Sequence, residues 1–190
     1  MRLHSTLQYA RLVLGEVLGP GDIAVDGTVG NGHDTLFLAK CVGSSGHVYG
    51  FDIQAQALAG TTGRLEESGC ADRATLFLAG HEKLDRHIPV ELHGKVRAAM
   101  FNFGFLPGSD RQVITRPDTS LMAVEKVLDI LAPDGCASLM LYGGHAGGEE
   151  ETAALKKMVH DLDYDRFRVA QYEFVNKPVN PVALVVIQKV

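Results

Sequence analysis

The stretch DGTVGNGHDT, residues 26–35, joins a short apolar run to a segment with helical spacing. A second apolar run ends in GFDIQ, residues 50–54, and places Asp52 twenty residues beyond Gly32. Glycines let a backbone approach a ligand closely and adopt positive φ. An acidic residue at the end of the second strand can accept hydrogen bonds from two ribose hydroxyls. The pattern therefore predicts a site for an adenine nucleoside.

Thr35 separates two kinds of adenine nucleotide site. A dinucleotide motif, G-x-G-x-x-G/A, starting at Gly30 needs Gly or Ala at position 35 for close helix–strand packing. The chain has the bulkier Thr35 there, and D-x-T-x-G-x-G over residues 26–32 instead resembles the first motif of methyltransferases. This resemblance predicts S-adenosylmethionine as the cofactor. The simpler alternatives are that the glycines only form a tight strand-to-helix turn and that Asp52 only caps the next helix.

Bulk properties narrow the class of protein further. With 190 residues and a formal charge of −5, the chain fits one domain, residues 1–190, and carries no overall nucleic-acid signature. Its three cysteines lack CxxC spacing, and no histidine pattern indicates a metal. The N-terminus lacks the apolar core of a signal peptide, and no apolar run approaches the roughly 20 residues that span a bilayer. We therefore expect a soluble cytoplasmic protein with no membrane contact.

The order of predicted elements indicates an α/β fold. Helical spacing follows Ser5, a predicted N-cap, and stops at the Gly-Pro-Gly of residues 19–21. Alternating strands and helices predict a parallel sheet with helices on both faces, and two final strands predict a C-terminal antiparallel hairpin. This Rossmann-like, seven-stranded sheet is typical of class I methyltransferases. The predicted strands cover residues 22–26, 46–53, 74–79, 95–103, 136–142, 166–175 and 182–188, and the later helices 35–42, 54–68, 118–131 and 149–162.

Asn102, at the end of the predicted fourth strand, is the candidate catalytic residue for an amine acceptor. Open α/β sheets bind ligands beyond the carboxyl ends of their strands, so Asn102 should also face the cofactor. Its amide can accept from an amine N–H and direct the lone pair toward the methyl group. The segment resembles the Asn-Pro-Pro-aromatic tetrad of amino-methylating enzymes, with Phe103, Gly104 and Phe105 in the last three places. These three are predicted to bind substrate, although both phenylalanines fit a core position equally well.

Three histidines each follow a predicted strand, and a substrate ammonium must lose a proton before it attacks. His145 is the candidate for a catalytic role near the acceptor, and His81 is expected to line the adenine side of the site. A hydrogen-bonded loop histidine is the more common role for any one of them. Arg111 and Arg116 follow the segment of residues 102–110, which is expected to face the methyl acceptor. Both are predicted to contact RNA, and the alternative is that they are ordinary solvated charges. The predicted cofactor-binding set is Asp26, Thr28, Gly30, Asn31, Gly32, His33, Asp34, Asp52, Ile53, Gln54, His81 and Asn102.

Several longer motifs together resemble one family across nearly the whole chain. They are DGTVGNGHDTLFLA from residue 26, GFDIQ from 50, GHE from 80, NFGFLPGSD from 102, LYGGHAGG from 141 and NKPVNPV from 176. This set is similar to the small bacterial tRNA 5-(aminomethyl)uridine methyltransferases, first labelled rRNA methylases. Ala146, Val179 and Val182 depart from the family pattern and affect only details of the substrate loops.

The resemblance implies N-methylation of 5-aminomethyl-(2-thio)uridine at the tRNA wobble position. It also implies an anticodon stem-loop as partner, and a homodimer. Two other functions stay open from the residues alone: methylation of rRNA or a small-molecule amine, and binding of the cofactor without turnover.

Overall fold

The computed structural model describes residues 3–104, 114–177 and 182–190. Seven strands form one sheet in the order β3-β2-β1-β4-β5-β7-β6. β1 to β5 are parallel, and β7 runs antiparallel to both of its neighbours. The predicted parallel sheet with a closing hairpin is therefore confirmed. The strands are β1 (Ile23–Asp26), β2 (His47–Asp52), β3 (Ala74–Leu78), β4 (Val96–Phe103), β5 (Leu131–Tyr142), β6 (Phe167–Glu173) and β7 (Val182–Lys189).

Helices cover both faces of the sheet, as predicted. Ser5 caps the first helix, because its hydroxyl accepts from the Gln8 N–H at 3.2 Å while the Gln8 side chain accepts from the Ser5 N–H at 3.0 Å. This reciprocal pair satisfies two N–H groups that the helix itself leaves unbonded. The helices are α1 (Thr6–Val17), α2 (His33–Val42), α3 (Ala55–Glu67), α4 (Leu84–His87), α5 (Pro117–Ile130) and α6 (Gly148–His160).

Alternating strand residues divide the interior into two apolar layers. Ala24 and Met100 pack beneath α1, α2 and α3, whereas Val25, Phe101 and Phe103 pack beneath α4, α5 and α6. Successive strand side chains point to opposite faces, so neighbours in sequence enter different layers. On β4, this alternation directs Asn102 toward the α1 and α2 side.

β5 and α4 differ most from the sequence prediction. β5 begins at Leu131, although Pro133 and Gly135 predicted a turn before a strand starting at residue 136. A register shift against β4 between Val96 and Ala98 accommodates these residues and keeps the strand paired. The four-residue α4 was not predicted, since one turn is too short to show a helical period.

Candidate active site

The carboxyl ends of β1, β2 and β4 open into a cavity of about 720 Å³. This volume lies in the range of small-molecule and cofactor sites, and its position follows the rule for open α/β sheets. The lining residues include Leu7, Arg11, Gly27, Thr28, Val29, Gly30, Asn31, His33, Asp34, Phe51, Asp52, Ile53, Gln54, Ala79, Gly80, His81, Glu82, Asn102, Gly104, Ile114, Thr115, Arg116, Thr119 and Tyr142.

The glycine-rich turn after β1 forms the floor of this cavity. Gly30 and Gly32 have φ values of 53° and 75°, a region that other residues rarely adopt. A Cβ on Gly32 would also lie 2.5 Å from the hydroxyl oxygen of Thr61 on α3. Both the backbone conformation and the close helix therefore require glycine at position 32.

Asp52 ends β2 and fixes the turn from the neighbouring strand. One carboxylate oxygen accepts from the Gly30 N–H and the other from the Gln54 N–H, both at 2.9 Å. Each carboxylate oxygen can accept a further hydrogen bond, and Asp52 lines the cavity. Ile53, 59% exposed, offers an apolar surface beside it. Asp52 and Ile53 thus form a site that suits a ribose diol and a flat base.

Asp26 lies beneath the turn and does not line the cavity. It is 0% exposed and accepts from the Thr35 hydroxyl at 2.6 Å and the Thr28 N–H at 3.1 Å. Burial, together with the smaller effect of the nearby charge of Asp34, raises the pKa of Asp26 to about 7. Thr35 therefore does more than exclude a dinucleotide motif by its bulk, because its hydroxyl satisfies the buried carboxyl group.

Asn102 is held at two points above the turn. Its backbone N–H donates to the Thr28 hydroxyl at 2.6 Å, and its Nδ2 donates to Oδ2 of Asp34 at 2.8 Å. The other oxygen of Asp34 accepts from Nε and Nη2 of Arg11 at 2.9 and 2.6 Å. These contacts bring α1, α2 and β4 together at the cavity, and Oδ1 of Asn102 has no hydrogen-bond partner among the described residues.

His81 begins a 3₁₀ turn after β3 and is 9% exposed. Its Nδ1 lies 3.2 Å from the Gly27 carbonyl oxygen, which can only accept, so Nδ1 carries the proton. The ring meets Phe101 and Phe103 edge-on, and burial lowers the pKa of His81. The imidazole is therefore neutral near pH 7. Its Nε2 is a buried acceptor that has no hydrogen-bond partner among the described residues.

The acceptor side of the cavity is built around Gly104, Thr115 and Tyr142. The Thr115 N–H donates to the Gly104 carbonyl at 2.8 Å, which joins the end of β4 to the segment that leads into α5. Glu151 on α6, 2% exposed, accepts from the Thr115 and Ser120 hydroxyls at 2.7 and 2.6 Å. Burial and the charge of Asp34 raise the pKa of Tyr142, so the phenol stays protonated at neutral pH.

Most of the residues predicted for the site meet at this cavity, although their roles stay predictions. Gly32 and Asp26 support the turn without lining the cavity, and Phe103, 1% exposed, lies in the apolar core rather than at a substrate surface. His145 is not among the lining residues; its Nδ1 contacts the Ala146 carbonyl, and its ring lies against Gly148. Phe105 and Arg111 lie outside the described residues. The lining residues that were predicted are Thr28, Gly30, Asn31, His33, Asp34, Asp52, Ile53, Gln54, His81, Asn102, Gly104 and Arg116.

Arg11, Thr115 and Tyr142 line the cavity but were not predicted as site residues. Tyr142 ends β5, and its position at the carboxyl end of a parallel strand was a usable signal. Arg11 carries no such signal, because it lies within an amphipathic helix that precedes the first strand.

Strand order, glycine turn and acidic β2 terminus together define the class I methyltransferase fold, which confirms the predicted fold class. Comparison with protein-family models then gives the family. The chain belongs to the family described as "Putative rRNA methylase", whose model matches residues 48–188.

Related proteins agree with this assignment. The chain is 34% identical, over 183 residues, to a chloroplastic tRNA (mnm(5)s(2)U34)-methyltransferase of Arabidopsis thaliana. That match covers 92% of this chain and 66% of the relative, so the chain spans slightly less than two thirds of the relative's length.

Two solved structures match over all of both chains. One is a "putative rRNA-methylase" from Clostridium thermocellum, with 36% identity and a TM-score of 0.96. The other is a "putative methyltransferase" from Streptococcus mutans, solved in complex with SAH, with 35% identity and a TM-score of 0.89.

None of the helices in residues 3–104, 114–177 and 182–190 is both long and apolar enough to cross a membrane. Within the same ranges, no three His, Cys, Asp or Glu side chains are grouped as a metal site requires.

Proposed function

We propose that this protein uses S-adenosylmethionine to methylate the side-chain amine of 5-aminomethyl-(2-thio)uridine at the tRNA wobble position. The name of the Arabidopsis relative supports this substrate. The observation that carries the proposal is Oδ1 of Asn102, which has no partner in the described part of the chain, since an amide oxygen at the cofactor edge of the sheet suits an amine N–H. The product would be 5-methylaminomethyl-(2-thio)uridine.

The cavity fits this cofactor on chemical grounds. Asp52 offers two carboxylate oxygens to a ribose diol, and the turn around Gly30 lets the backbone approach the ligand. The buried Nε2 of His81 is an acceptor without a protein partner in the described chain, and an exocyclic amine of a base is a suitable donor for it. When bound, the cofactor supplies a methyl group on a positively charged sulfur.

Methyl transfer then requires little more than alignment. The neutral amine nitrogen forms a bond to the methyl carbon while the carbon–sulfur bond breaks and its electron pair stays on sulfur. Asn102 would hold an amine N–H and so direct the nitrogen lone pair along this axis. The proton lost by the amine leaves to solvent or a nearby base, and His145 stays only a prediction for that role.

The acceptor side supports a nucleotide substrate. Tyr142 offers an aromatic ring that can stack on a displaced base, and the exposed Arg116 can contact phosphate. Phe105 and Arg111 stay predicted substrate contacts. The partner we propose is an anticodon stem-loop.

Nucleoside analysis tests the substrate directly. The purified protein is incubated with S-adenosylmethionine and tRNA that carries 5-aminomethyl-2-thiouridine, and the digested nucleosides are measured by mass spectrometry. We expect conversion to the methylaminomethyl form. Methyl transfer to rRNA or to a free amine, with none to the wobble nucleoside, would overturn this substrate. It would instead support methylation of rRNA or of a small-molecule amine.

Asn102→Ala tests the residue that carries the proposal. We expect the methylation rate to fall about 100-fold, in line with the loss of alignment at a reacting centre. Cofactor affinity, measured by calorimetry, should change little. The control is Gln56→Ala, which removes an exposed amide on α3 that does not line the cavity. Full activity in Asn102→Ala would remove the residue from the mechanism.

Three further expectations belong to this proposal: a single domain, a homodimer and a cytoplasmic location. Edge strand β6 and its continuation expose Val169, Phe174 and Val175 at 39, 38 and 91%, which suits an interface between copies. Light scattering would give the assembly state, and a monomeric mass at micromolar concentration would contradict the dimer. Cell fractionation would test the compartment.

A further inference from the structure

We propose that Asp34, held by Arg11, is a positioning residue that fixes which end of the Asn102 amide faces the substrate amine. The inference rests on the proposed function and extends it to residues outside the reacting groups. Three contacts carry it: Asn102 Nδ2 to Asp34 Oδ2 at 2.8 Å, and the two Arg11 nitrogens to Asp34 Oδ1 at 2.9 and 2.6 Å.

The identity of the partner determines the orientation of the amide. An ionised carboxylate accepts hydrogen bonds and cannot donate them. Asn102 must therefore turn its NH₂ group toward Asp34, which directs Oδ1 away from it. Because the Asn102 backbone N–H is also fixed on the Thr28 hydroxyl, both the main chain and the amide plane of this residue are restrained.

The reversed amide would oppose the reaction. With Nδ2 toward the substrate, an N–H would donate to the amine lone pair, which is the pair that must attack the methyl carbon. With Oδ1 toward the substrate, the amide accepts an amine N–H and leaves the lone pair free. Asp34 thus selects the productive one of two nearly isosteric orientations.

Arg11 supplies the counter-charge from a separate element. Its guanidinium lies 5.8 Å from the centre of the Phe37 ring and donates twice to one Asp34 oxygen. The pair is largely shielded, with side-chain exposures of 33% for Arg11 and 10% for Asp34. A shielded charged pair of this kind holds its geometry better than one in open solvent. The first helix is thereby connected to the reacting end of β4.

Exchanging the side chains of Asp34 and Asn102 distinguishes a role in orienting the amide from a role in stabilising the fold. Asp34→Asn should lower kcat about 100-fold, while the KM for tRNA changes less than about threefold. Asn102→Asp alone should also be impaired, because two carboxylates would then face each other. In the double variant D34N/N102D, the amide of position 34 can donate to the carboxylate of position 102. That exchange leaves an acceptor oxygen toward the substrate, and we expect kcat to recover about tenfold over either single variant.

Asp161→Asn is the matched control, since it makes the same change in an exposed ion pair between Lys157 and the residue that follows α6. The inference is overturned if Asp34→Asn keeps wild-type kcat. It is also overturned if the double variant shows no recovery while all variants bind cofactor and unfold normally. Should Asp34→Asn fail to fold, Arg11→Gln decides: a fall in kcat at constant KM supports the inference, and an unchanged kcat contradicts it.

A measurement without turnover distinguishes failure of this inference from failure of the proposed function. The side-chain amide of Asn102 can be assigned by NMR from its absence in Asn102→Ala. We expect its protons to exchange slowly in the wild type and fast in Arg11→Gln. If tRNA is not methylated but this difference is present, the substrate is wrong and the positioning is right. Fast exchange in the wild type would contradict the positioning itself.

Discussion

Asp26→Asn should make the protein less sensitive to alkaline pH. The wild-type carboxyl group is fully buried, and its pKa of about 7 compares with an ordinary value of 3.8. The unfolded chain therefore releases this proton near pH 4, whereas the folded protein keeps it until about pH 7. The contribution of Asp26 to the free energy of unfolding is therefore complete when the pH lies below the pKa of the unfolded chain. It is lost as the pH rises through the pKa of the folded protein. Asn mimics the protonated form, since Nδ2 can donate to the Thr35 hydroxyl and Oδ1 can accept from the Thr28 N–H.

The size of the effect follows from the two pKa values. One pKa unit corresponds to about 1.4 kcal/mol, so the whole shift of the Asp26 pKa is worth about 4 kcal/mol. Between about pH 5 and pH 8, linkage assigns about 2.5 kcal/mol of lost unfolding free energy to this carboxyl group. The variant lacks this loss. Relative to wild type, its free energy of unfolding should therefore rise by about 2.5 kcal/mol over that interval.

Urea unfolding of cofactor-free protein at the two pH values measures this difference. Other groups titrate in both proteins, so the difference between variant and wild type isolates Asp26. Asp161→Asn is the control, because the hydrogen bond from Lys157 lowers the pKa of Asp161 from its ordinary value of 3.8 and so moves it away from this pH interval. A wild-type-minus-variant difference that is flat from pH 5 to pH 8 would refute the reasoning and mean that Asp26 is ionised in the fold.

Three other substitutions test separate parts of the site. Asp52→Ala should weaken SAH binding about 100-fold by calorimetry, because hydrogen bonds to a charged group contribute about 1.5–3 kcal/mol each; a change below threefold would contradict the ribose contact. Gly32→Ala should lower the free energy of unfolding by about 2 kcal/mol, from left-handed strain plus the clash with Thr61. Gly69→Ala, at φ 63° with open space around it, should lose only the strain, and equal losses would argue against the clash. Glu151→Ala should cost about 2–3 kcal/mol in urea unfolding, because the buried Ser120 hydroxyl and the half-buried Thr115 hydroxyl lose their acceptor, whereas the exposed Glu150→Ala should cost almost nothing.

Local patterns accounted for the elements of this fold because each depends on neighbours in sequence. Ser5 caps α1 through Gln8, only three residues away, and Gly32 adopts the left-handed conformation directly before the first residue of α2. β5 shows the limit of such patterns. Pro133 and Gly135 carry strong turn signals, yet pairing with β4 keeps this segment in the strand.

The site itself was only partly predictable. Asp52 and Asn102 were identifiable because each ends an apolar strand, and strand ends converge in an α/β sheet. Phe103 shows the opposite case: its neighbour Asn102 faces the cavity side, and the alternation of β4 sends the phenylalanine into the core. The sequence around a residue does not reveal which face of the sheet its side chain occupies, because that depends on how the helices pack along the whole sheet.

From its sequence alone, the chain determined an adenine-nucleoside site at the end of β1, a parallel sheet closed by a hairpin, and Asn102 as the residue of interest for an amine. These follow from short-range rules of period, turn geometry and strand order. Only the tertiary structure decided that Asp26 is buried and accepts a hydrogen bond from the Thr35 hydroxyl. It also decided that Asp34 contacts both Arg11, 23 residues away in sequence, and Asn102, 68 residues away. Such contacts depend on where α1 and β4 meet α2 in space, and no local pattern encodes that position.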